Sequence, residues 1–568
     1  MSPTAAPERS DRPSRGVWAR LGELLARPLA ASMVLLVVYA GCSLLNDPRA
    51  FLHTDTGGKV ATLRAMDARG DLDPDLGYWA EDQDPEGSVH AIAMTYRIGD
   101  RWVNVTTLPM IYAALPLYEL GGLRGILLLP MLGAVLCALA ARSRARRLAR
   151  ASPDRAGAVA FWTVGLATPV VVYALEFWEH TLGLAAMLGG VVLFLDVADG
   201  KAGWRSALLG GTCFGLAATM RTEAFVYAAV TFVVVGVSLL VARRGNIIRI
   251  AAGAAIGLVV PLALNQGLER LVLGQGLRAG RASSAAAEGG ANLVTRVEDA
   301  LRTSVGLNHY APKVDWLLGG LVVILVGVAA AVLLEPTRRR LGAYVALGAA
   351  VALMLVRFSD GLGFVPGMLV ASPLAVAGVI AATRDSQMRR VATIAIGALP
   401  LVWFFQYRGG ANPQWGGRYV LASAVLLAIV GTVALLERGA KALAPVVIAA
   451  VLFTGCGVAW LSVRSHAIAD AASVLEAREP ILSSGLPHQL REWGAFYSPD
   501  RRWLTAETSG ELPTALAVLD ETGADRFTLV ARLRAEAPKR LGAYERRSVR
   551  SISFLIDIRL TVAQYRRA

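Results

Sequence analysis

The sequence is poor in charged residues and in cysteine. Charged residues make up 18% of its 568 residues, whereas soluble domains contain about 25%, so an ordinary soluble protein is excluded. The hydrophobic fraction of 55% excludes intrinsic disorder, and four cysteines are too few for a disulfide scaffold. All four lie in apolar runs, which predicts packing residues rather than disulfide or metal partners: Cys42, Cys137, Cys213 and Cys456.

Apolar runs near membrane-spanning length recur from residue 29 to residue 463. Because a helix needs about 20 apolar residues to cross a bilayer, these runs predict a polytopic all-α membrane protein. Segment 105–120 is apolar too, but it contains Pro109 and Pro116, and we predict that it is an interfacial helix. We predict about thirteen transmembrane helices, at residues 29–46, 124–141, 157–173, 181–197, 205–220, 224–241, 247–264, 316–334, 341–356, 364–382, 391–406, 419–436 and 443–463.

The formal net charge is +14, and the basic residues are concentrated in alternate loops. If 105–120 does not cross the bilayer, the arginine-rich segment 142–156 and the other short basic loops all lie in the cytoplasm, as the positive-inside rule requires. The N-terminus is then cytoplasmic and the C-terminus extracytoplasmic. Because no basic block marks a soluble nucleic-acid-binding face, we expect membrane lipids and no nucleic acid as partners. The alanine-, arginine- and glycine-rich composition favours a bacterial plasma membrane.

The predicted organisation has three parts. Residues 1–28 form a cytoplasmic tail, 29–463 the transmembrane domain, and 464–568 an extracytoplasmic domain. The transmembrane domain carries a long first outer loop, 47–123, and a polar outer loop, 265–315. The last part is predicted to be a small α/β domain, because β-type runs alternate with an amphipathic stretch: 480–484, 503–507, 511–522, 527–531 and 552–558.

Asp55 lies a few residues after the first predicted helix, in the segment FLHTDTGGK (51–59). A carboxylate at the membrane surface, near apolar walls, would have a raised pKa and could act as a general base. Alternatively, Asp55 caps the amphipathic stretch 58–68, since Asp is a favoured N-cap residue. The two roles are compatible.

Two further acidic segments are predicted to face the same side. Seven acidic residues in the run 71–86 indicate a solvated loop or, alternatively, a site for a hard cation. Glu176, Glu179 and His180 lie where apolar helices emerge, a position in which ionisable groups are costly and often functional. Spaced three residues apart, the two glutamates would share one face of a helix. Alternatively, these residues form a solvated turn that neighbouring aromatic residues anchor at the membrane interface.

The candidate cationic residues occur in two places. Arg221, in the segment RTE (221–223), could bind a phosphate, or it could pair with Glu223 or with another helix end. Arg408, Arg418 and Tyr419 belong to the segment QYRGGANPQWGGRY (406–419), whose paired glycines let the backbone approach a ligand closely. Arg418 is the best candidate for a phosphate contact, and a plain interfacial anchor is the alternative.

With these features in chain order, the sequence resembles the GT-C superfamily of membrane glycosyltransferases, in particular its aminoarabinose-transferase and protein O-mannosyltransferase branch. The resemblance covers the layout of roughly residues 29–464. It rests on five features: Asp55 soon after helix one, a Pro-bearing segment ending in LGG (109–122), the acidic outer turn 176–180, the segment GLAATMRTE (215–223) and the segment WGGRY (415–419).

The resemblance implies an enzyme that moves a sugar from a polyprenyl-phosphate donor to an acceptor hydroxyl by an inverting displacement on the outer face. Asp55 would be the general base, with Glu176 or Glu179 as a second acidic position that holds acceptor, sugar or a divalent cation, Mg²⁺ or Mn²⁺. The acceptor would be a lipid, a protein or a cell-wall glycan. Relatives often carry a lysine before the interfacial helix, where this chain has NVTTLP (104–109). Lys59, Arg101, Arg408 or Arg418 would have to replace that lysine at the donor phosphate. The residues expected to bind the donor phosphate or other parts of the substrate are Lys59, His180, Arg221, Arg408, Arg418 and Tyr419.

The main alternative is a transporter or flippase for a lipid-linked glycan. Such a protein should line its midplane with polar residues or broken helices, whereas the charged residues here lie at the outer ends of the predicted helices. An O-antigen-type ligase or polymerase would more naturally centre on one large late loop than on the first loop. A further alternative is an integral scaffold whose tail recruits partners, and only the existence of the tail supports it.

Overall fold

The computed structural model describes residues 26–50, 54–92, 94–105, 107–244, 246–277, 293–307, 313–335, 340–359, 364–383, 385–405, 415–472, 479–485, 493–498, 500–532, 534–555 and 558–568. The helices are α1 Pro28–Ser43, α2 Thr54–Arg69, α3 Leu108–Gly125, α4 Leu128–Leu148, α5 Pro153–Leu166, α6 Val170–Ala174, α7 His180–Ala198, α8 Trp204–Met220, α9 Ala224–Val241, α10 Ile247–Leu273, α11 Leu293–Val305, α12 Lys313–Leu333, α13 Leu341–Ser359, α14 Met368–Ala371, α15 Pro373–Ala381, α16 Ser386–Phe405, α17 Leu421–Glu437, α18 Ala440–Ala471 and α19 Leu512–Glu521. The strands are β1 Thr95–Ile98, β2 Arg101–Asn104, β3 Ile481–Ser484, β4 Trp503–Ala506, β5 Arg526–Ala531, β6 Arg540–Leu541, β7 Tyr544–Leu555 and β8 Ile558–Arg567.

The chain is a multi-pass helical membrane protein with a C-terminal β-sheet domain. Within the described residues, nine helices are long and apolar enough to cross a bilayer: α4, α7, α9, α10, α12, α13, α16, α17 with the turn before it, and α18. All thirteen predicted segments coincide with a helix or a broken helix in the described part of the chain, which confirms the predicted fold class. That there are thirteen crossings, and that α3 lies at the interface, stay predictions.

Two predicted helices are each broken into two. The predicted helix 157–173 forms α5 and α6, and Pro169 stands at the break as the N-cap of α6. The predicted helix 364–382 forms α14 and α15, and the break falls at Ser372, before Pro373. Proline lacks a backbone N–H and clashes with the preceding turn, so it starts a helix readily but does not continue one.

Helix α17 is the buried centre of the helical domain. Every residue from Leu421 to Leu435 is buried. Its glycine lets α15 approach closely, since a Cβ on Gly431 would lie 2.1 Å from the carbonyl oxygen of Leu374. This tight packing holds α17 in place, and the Arg418 turn directly precedes that helix.

The C-terminal domain is a six-stranded mixed sheet in the order β4-β3-β5-β8-β7-β6. Strand β3 is parallel to β4 and β5, and β8 is antiparallel to β5 and β7. Helix α19 connects β4 to β5, the two strands that lie on either side of β3 and run parallel to it. The predicted runs 480–484, 503–507, 511–522 and 527–531 coincide with β3, β4, α19 and β5.

The predicted strand 552–558 is wrong in extent. It covers the end of β7 and the start of β8, a long antiparallel pair spanning 544–567. A register shift between Arg546 and Ser548 changes the phase of the alternation within β7. Exposed charged residues, among them Arg547 and Arg550, further hide the apolar pattern in that strand.

The first loop packs against the C-terminal domain rather than lying free in solvent. Thr505 N donates to the carbonyl of Val89 at 3.0 Å, and Trp79 Nε1 donates to the carbonyl of Trp503 at 3.0 Å. Within the acidic run 71–86, Asp84 is buried and accepts from Val89 N at 3.0 Å. The interpretation of the run as a solvated loop is therefore wrong for Asp84, which organises the loop that the tail contacts.

Candidate active site

Four segments that are far apart in sequence meet at one end of the membrane helices. They are the start of α2, the turn between α6 and α7, the turn between α8 and α9, and the short 3₁₀ turn Arg418–Val420 before α17. Seven of the ten candidate site residues named from the sequence are linked there by contacts with one another: Asp55, Lys59, Glu179, His180, Arg221, Arg418 and Tyr419. Glu176 joins them through Thr56, and Arg408 lies outside the described residues.

Helix α2 brings Asp55 to the site in its first turn. An acidic side chain there interacts favourably with the positive end of the helix dipole. The sequence predicts that Asp55 caps a helix that begins at about residue 58. The helix in fact begins at Thr54, so Asp55 lies inside its first turn. Gly58 allows α2 to lie against strand β2, because a Cβ there would be 2.6 Å from Asn104 Oδ1.

Two glycines shape the turn that presents Arg418. Gly416 and Gly417 have φ angles of +74° and +76°, in the left-handed region that favours glycine. A Cβ on Gly416 would lie 2.4 Å from Pro169 Cγ and 3.6 Å from Ala371 Cβ. Residues at the two breaks in the membrane helices therefore enclose the turn that positions Arg418.

The Arg418 guanidinium forms an ion pair with the Asp55 carboxylate through Nη2. Its Nε donates to His180 Nε2 at 3.0 Å. The guanidinium carbon lies 4.3 Å from the Trp178 ring centroid and 5.2 Å from that of Tyr419, within the range of cation–π attraction. Arg418 is thus held between two aromatic rings with its charge directed at Asp55.

His180 is fixed by aromatic neighbours. Its ring stacks on Tyr173 at a centroid distance of 5.2 Å and an interplanar angle of 16°, and lies 3.9 Å from Trp178. The Tyr173 hydroxyl donates to the carbonyl of Trp415 at 3.0 Å. These contacts tie the α6–α7 turn to the segment that carries Arg418, so the two sides of the site are built as one unit.

Behind this pair lies a buried network of two cations and two carboxylates. Lys59 Nζ pairs with Glu179, and Arg221 Nη1 reaches the other oxygen of Glu179 at 3.3 Å. Arg221 Nε pairs with Glu223 at 2.9 Å. Burial raises the pKa of Glu179, but the nearby charges of Lys59 and Arg221 outweigh it and hold this pKa below its usual value. The four charges therefore balance within the protein.

Arg221 has hydrogen-bonding capacity left over. Its Nη2 atom is buried and has no acceptor among the residues that the structure describes, and its guanidinium carbon lies 4.8 Å from the Tyr419 ring centroid. Tyr419 thus lies between Arg221 and Arg418. An unsatisfied buried N–H costs free energy, which is recovered if a ligand oxygen accepts from it.

Glu176 differs electrostatically from its neighbours. It is buried and accepts from the Thr56 hydroxyl at 3.4 Å. Burial raises its pKa to about 8, and the nearby cations, chiefly Arg464 and Lys59, offset only part of that rise. At neutral pH its carboxyl group is therefore mostly protonated. It also lines a cavity between α1, α3 and α18, together with polar groups of Asn46 and Ser465.

The prediction that Glu176 and Glu179 share one face of a helix is wrong. Residues 175–179 form a tight turn, in which Trp178 N donates to the carbonyl of Glu176 at 2.7 Å. The turn sends the two carboxylates to different partners, Thr56 and Lys59.

Other contacts were not predicted from the sequence. Arg101, a candidate for the phosphate, instead pairs with Asp73 at 2.9 Å. Thr56 and the indole of Trp178 were missed as members of the site. The tail also packs against α2, where Gly494 lies on Gly57. A Cβ at position 494 would be 2.0 Å from the Gly57 carbonyl oxygen. The glycine pair that follows Asp55-Thr56 is the signal that could have indicated this close approach.

The carboxylates do not form a metal-binding set. In the described part of the chain, no group of three or more His, Cys, Asp and Glu residues is arranged to hold a metal ion. Asp55 and Glu179 are paired with protein cations, and Glu176 is engaged by Thr56. A site for Mg²⁺ or Mn²⁺ stays a prediction from the sequence.

Several solved structures are similar to this chain. ArnT from Cupriavidus metallidurans in the apo state is 19% identical, with 96% of this chain and 98% of that chain covered and a TM-score of 0.47. ArnT from the same organism bound to undecaprenyl phosphate is 18% identical, with the same coverage and a TM-score of 0.45. The Archaeoglobus fulgidus oligosaccharyltransferase in complex with Zn and sulfate is 13% identical, with 87% of this chain and 67% of that chain covered and a TM-score of 0.47. No family model and no curated protein matches the sequence.

Proposed function

We propose that the protein is a membrane glycosyltransferase that moves a sugar from a polyprenyl-phosphate donor to an acceptor hydroxyl, with inversion at the anomeric carbon. The observation that carries this proposal is the Asp55–Arg418 pair, a carboxylate and a guanidinium held together where the apolar helices end. The resemblance of the sequence motifs to GT-C glycosyltransferases points to the same chemistry.

Asp55 is the carboxylate best placed to act as the base. Its side chain is 27% exposed, whereas those of Glu179 and Glu223 are 5% and 4% exposed. An acceptor hydroxyl can therefore approach Asp55 from solvent, while Glu179 and Glu223 are occupied in the buried network. A positioned base typically contributes about 10²–10⁴-fold to such a reaction.

The reaction requires three coupled changes. The acceptor O–H bond breaks and its proton moves to an Asp55 carboxylate oxygen, while the acceptor oxygen bonds to the anomeric carbon. The bond from that carbon to the phosphate oxygen breaks on the opposite face, and its electron pair leaves with the polyprenyl phosphate. Negative charge grows on the departing phosphate, so cations positioned beside it stabilise the transition state.

Arg418 and Arg221 are the proposed phosphate ligands. The planar guanidinium suits bidentate contact with phosphate, and the Nη2 atom of Arg221 is a buried donor with no acceptor among the described residues. Lys59 pairs with Glu179, which also contacts Arg221, and Tyr419 lies between the two arginines. The polyprenyl tail would lie among the apolar helices, with its phosphate at the headgroup level.

Arg418 connects the two halves of the proposed mechanism. In the structure it is paired with Asp55, and a donor phosphate at the site would compete for the same guanidinium. Asp55 would then be released to accept a proton once the donor is bound. His180 and Trp178 would keep Arg418 in place during this exchange.

We further propose that this chemistry takes place on the outer face of a bacterial plasma membrane, with the N-terminus cytoplasmic and the C-terminal domain outside. This assignment rests on the charge distribution of the loops. The division at residues 28 and 463 and the acceptor class, whether lipid, protein or cell-wall glycan, belong to the same proposal.

The decisive experiment measures transfer by purified full-length protein supplied with radiolabelled polyprenyl-phosphate sugars and a panel of acceptors. Asp55→Asn and Asp55→Ala are expected to lose transfer by about 10²-fold or more. Asp67→Asn, at an exposed carboxylate on the same helix, should keep normal turnover. Normal turnover by both Asp55 variants would refute the role of Asp55. Movement of intact donor across vesicles without bond cleavage would instead support a flippase.

A further inference from the structure

Helix α11, Leu293–Val305, has an unusual distribution of exposed residues. Its four exposed side chains are all apolar: Leu293, Val294, Val297 and Leu301, at 74%, 67%, 51% and 45%. Its charged side chains are half-buried against the protein: Arg296, Glu298, Asp299 and Arg302. A helix facing water shows the opposite arrangement, so the outward face of α11 is suited to an apolar medium.

The helix lies across the ends of neighbouring membrane helices. Its last residue, Val305, packs on α12, because a Cβ on Gly319 would lie 1.7 Å from the Val305 carbonyl oxygen. Near its start, Arg296 Nη1 donates at 3.1 Å to the carbonyl of Trp403, in the last turn of α16. The next residue of α16, Phe404, is 62% exposed. Helix α11 therefore lies beside the end of a membrane helix at which an apolar side chain, Phe404, is exposed.

We propose that α11 is an interfacial helix whose apolar face binds lipid acyl chains of the leaflet nearest the Asp55 site. Amphipathic helices of this kind lie in the membrane plane with the apolar side buried at the boundary between headgroups and acyl chains. The occupant is the bilayer itself, because α11 lies beside the end of a membrane helix that also exposes an apolar side chain, Phe404. The half-buried charges hold the other side of α11 on the protein.

The end of α11 connects this lipid contact to the site. Gly367 N donates to the carbonyl of Gly306 at 2.7 Å, and Gly416 N donates to the carbonyl of Pro366 at 2.9 Å. A Cβ on Gly417 would lie 3.1 Å from the Thr303 carbonyl oxygen. A short chain of backbone contacts thus runs from α11 to the glycine turn before Arg418. Lipid contact along α11 would stabilise the conformation of the turn that positions Arg418.

The test places a fluorophore on single cysteines in full-length protein reconstituted into lipid nanodiscs, after the four native cysteines are replaced by alanine. The test position is Val297→Cys. Val233→Cys, at an exposed position of the membrane helix α9, is the lipid control, and Glu521→Cys, at an exposed position of the C-terminal domain, is the water control. The quenchers are a phospholipid with a nitroxide on its acyl chain and aqueous iodide.

We expect the label at position 297 to be quenched by the lipid nitroxide, like the label at position 233, and to be shielded from iodide. Iodide quenching as strong as at position 521 would overturn the proposal, because the face would then be in water. Protection from both quenchers would overturn it too, because protein would cover the face. This measurement needs no glycosyl transfer, so its failure is distinguishable from failure of the proposed function.

The connection to Arg418 rests on the proposed function and is tested separately. Leu301→Ser should weaken binding of a radiolabelled polyprenyl-phosphate donor severalfold, while Leu301→Ile, which keeps the apolar face, should bind as the parent does. Unchanged donor affinity in Leu301→Ser would refute the connection, whatever the quenching shows. Weaker binding by both variants would also contradict it, since the effect would not follow polarity.

Discussion

Arg418 and Asp55 are 363 positions apart in sequence and form an ion pair at the end of the membrane helices. Each belongs to a segment that interrupts an apolar run, and the helices between them bring the segments together. The aromatic rings of Trp178 and Tyr419 flank the guanidinium. The pair therefore links the proposed base to the proposed phosphate ligand.

This pairing predicts a selective effect of Arg418→Ala. Because Arg418 is proposed to bind the donor phosphate, the variant should bind the donor about tenfold or more weakly, which corresponds to about 1.4 kcal/mol. Affinity for the acceptor should change little. Equilibrium binding of radiolabelled donor to purified protein checks this. Arg438→Ala, at an exposed arginine, is the control, and equal donor affinity in Arg418→Ala and the parent would refute the assignment.

The buried network predicts a strong effect on stability. Glu179→Gln leaves Lys59 and one end of Arg221 without their carboxylate, and breaking a buried pair in this way costs about 3–5 kcal/mol. The double variant Lys59→Met, Glu179→Gln should recover part of that loss, since Arg221 keeps Glu223. The unfolding free energies of the parent, of Lys59→Met, of Glu179→Gln and of the double variant give the coupling free energy between Lys59 and Glu179. Strict additivity of the two substitutions would contradict the network.

The sequence predicts the helices well because each needs only a local run of apolar residues. It also indicates most of the candidate site, because ionisable residues beside apolar runs are rare and conspicuous. It does not predict which partners they find. Glu179 pairs with Lys59, 120 positions earlier in the chain, and nothing local encodes that pairing.

Other failures have local physical causes. Glu176 and Glu179 are three positions apart, as on one face of a helix, but residues 175–179 form a turn that is tighter than a helical turn. In this turn Trp178 N donates a hydrogen bond to the carbonyl of Glu176. Helix α11 falls in a segment that was predicted to be a polar loop. Its charged residues lower the mean hydropathy, although they turn toward the protein and leave the apolar residues outside.

Glu176 predicts a pH-dependent stability. Burial raises its pKa to about 8 from a reference value of 4.5, so between these values the folded protein holds a proton that the unfolded chain releases. Stability from this group is complete below pH 4.5 and is lost as pH rises toward 8, by on the order of 4 kcal/mol.

Glu176→Gln mimics the protonated carboxyl and should remove this dependence. Unfolding free energies of the parent and the variant, measured from pH 5 to pH 8.5, should diverge as pH rises, with the variant the more stable above neutrality. Parallel curves would show that Glu176 does not titrate in this range. The exposed Asp67→Asn should follow the parent at every pH.

The glycine turn before Arg418 gives a prediction that separates geometry from charge. Gly417→Ala leaves every charged group in place, but its φ of +76° is unfavourable for alanine, and the new Cβ would lie 2.6 Å from Val420 Cγ2. We expect a stability loss of about 1–3 kcal/mol and a larger relative loss of donor binding, because the turn can relax only by moving Arg418. Gly455→Ala, at a helical glycine with open space around it, is the matched control. Full donor affinity in a folded Gly417→Ala protein would show that the turn does not set the position of Arg418.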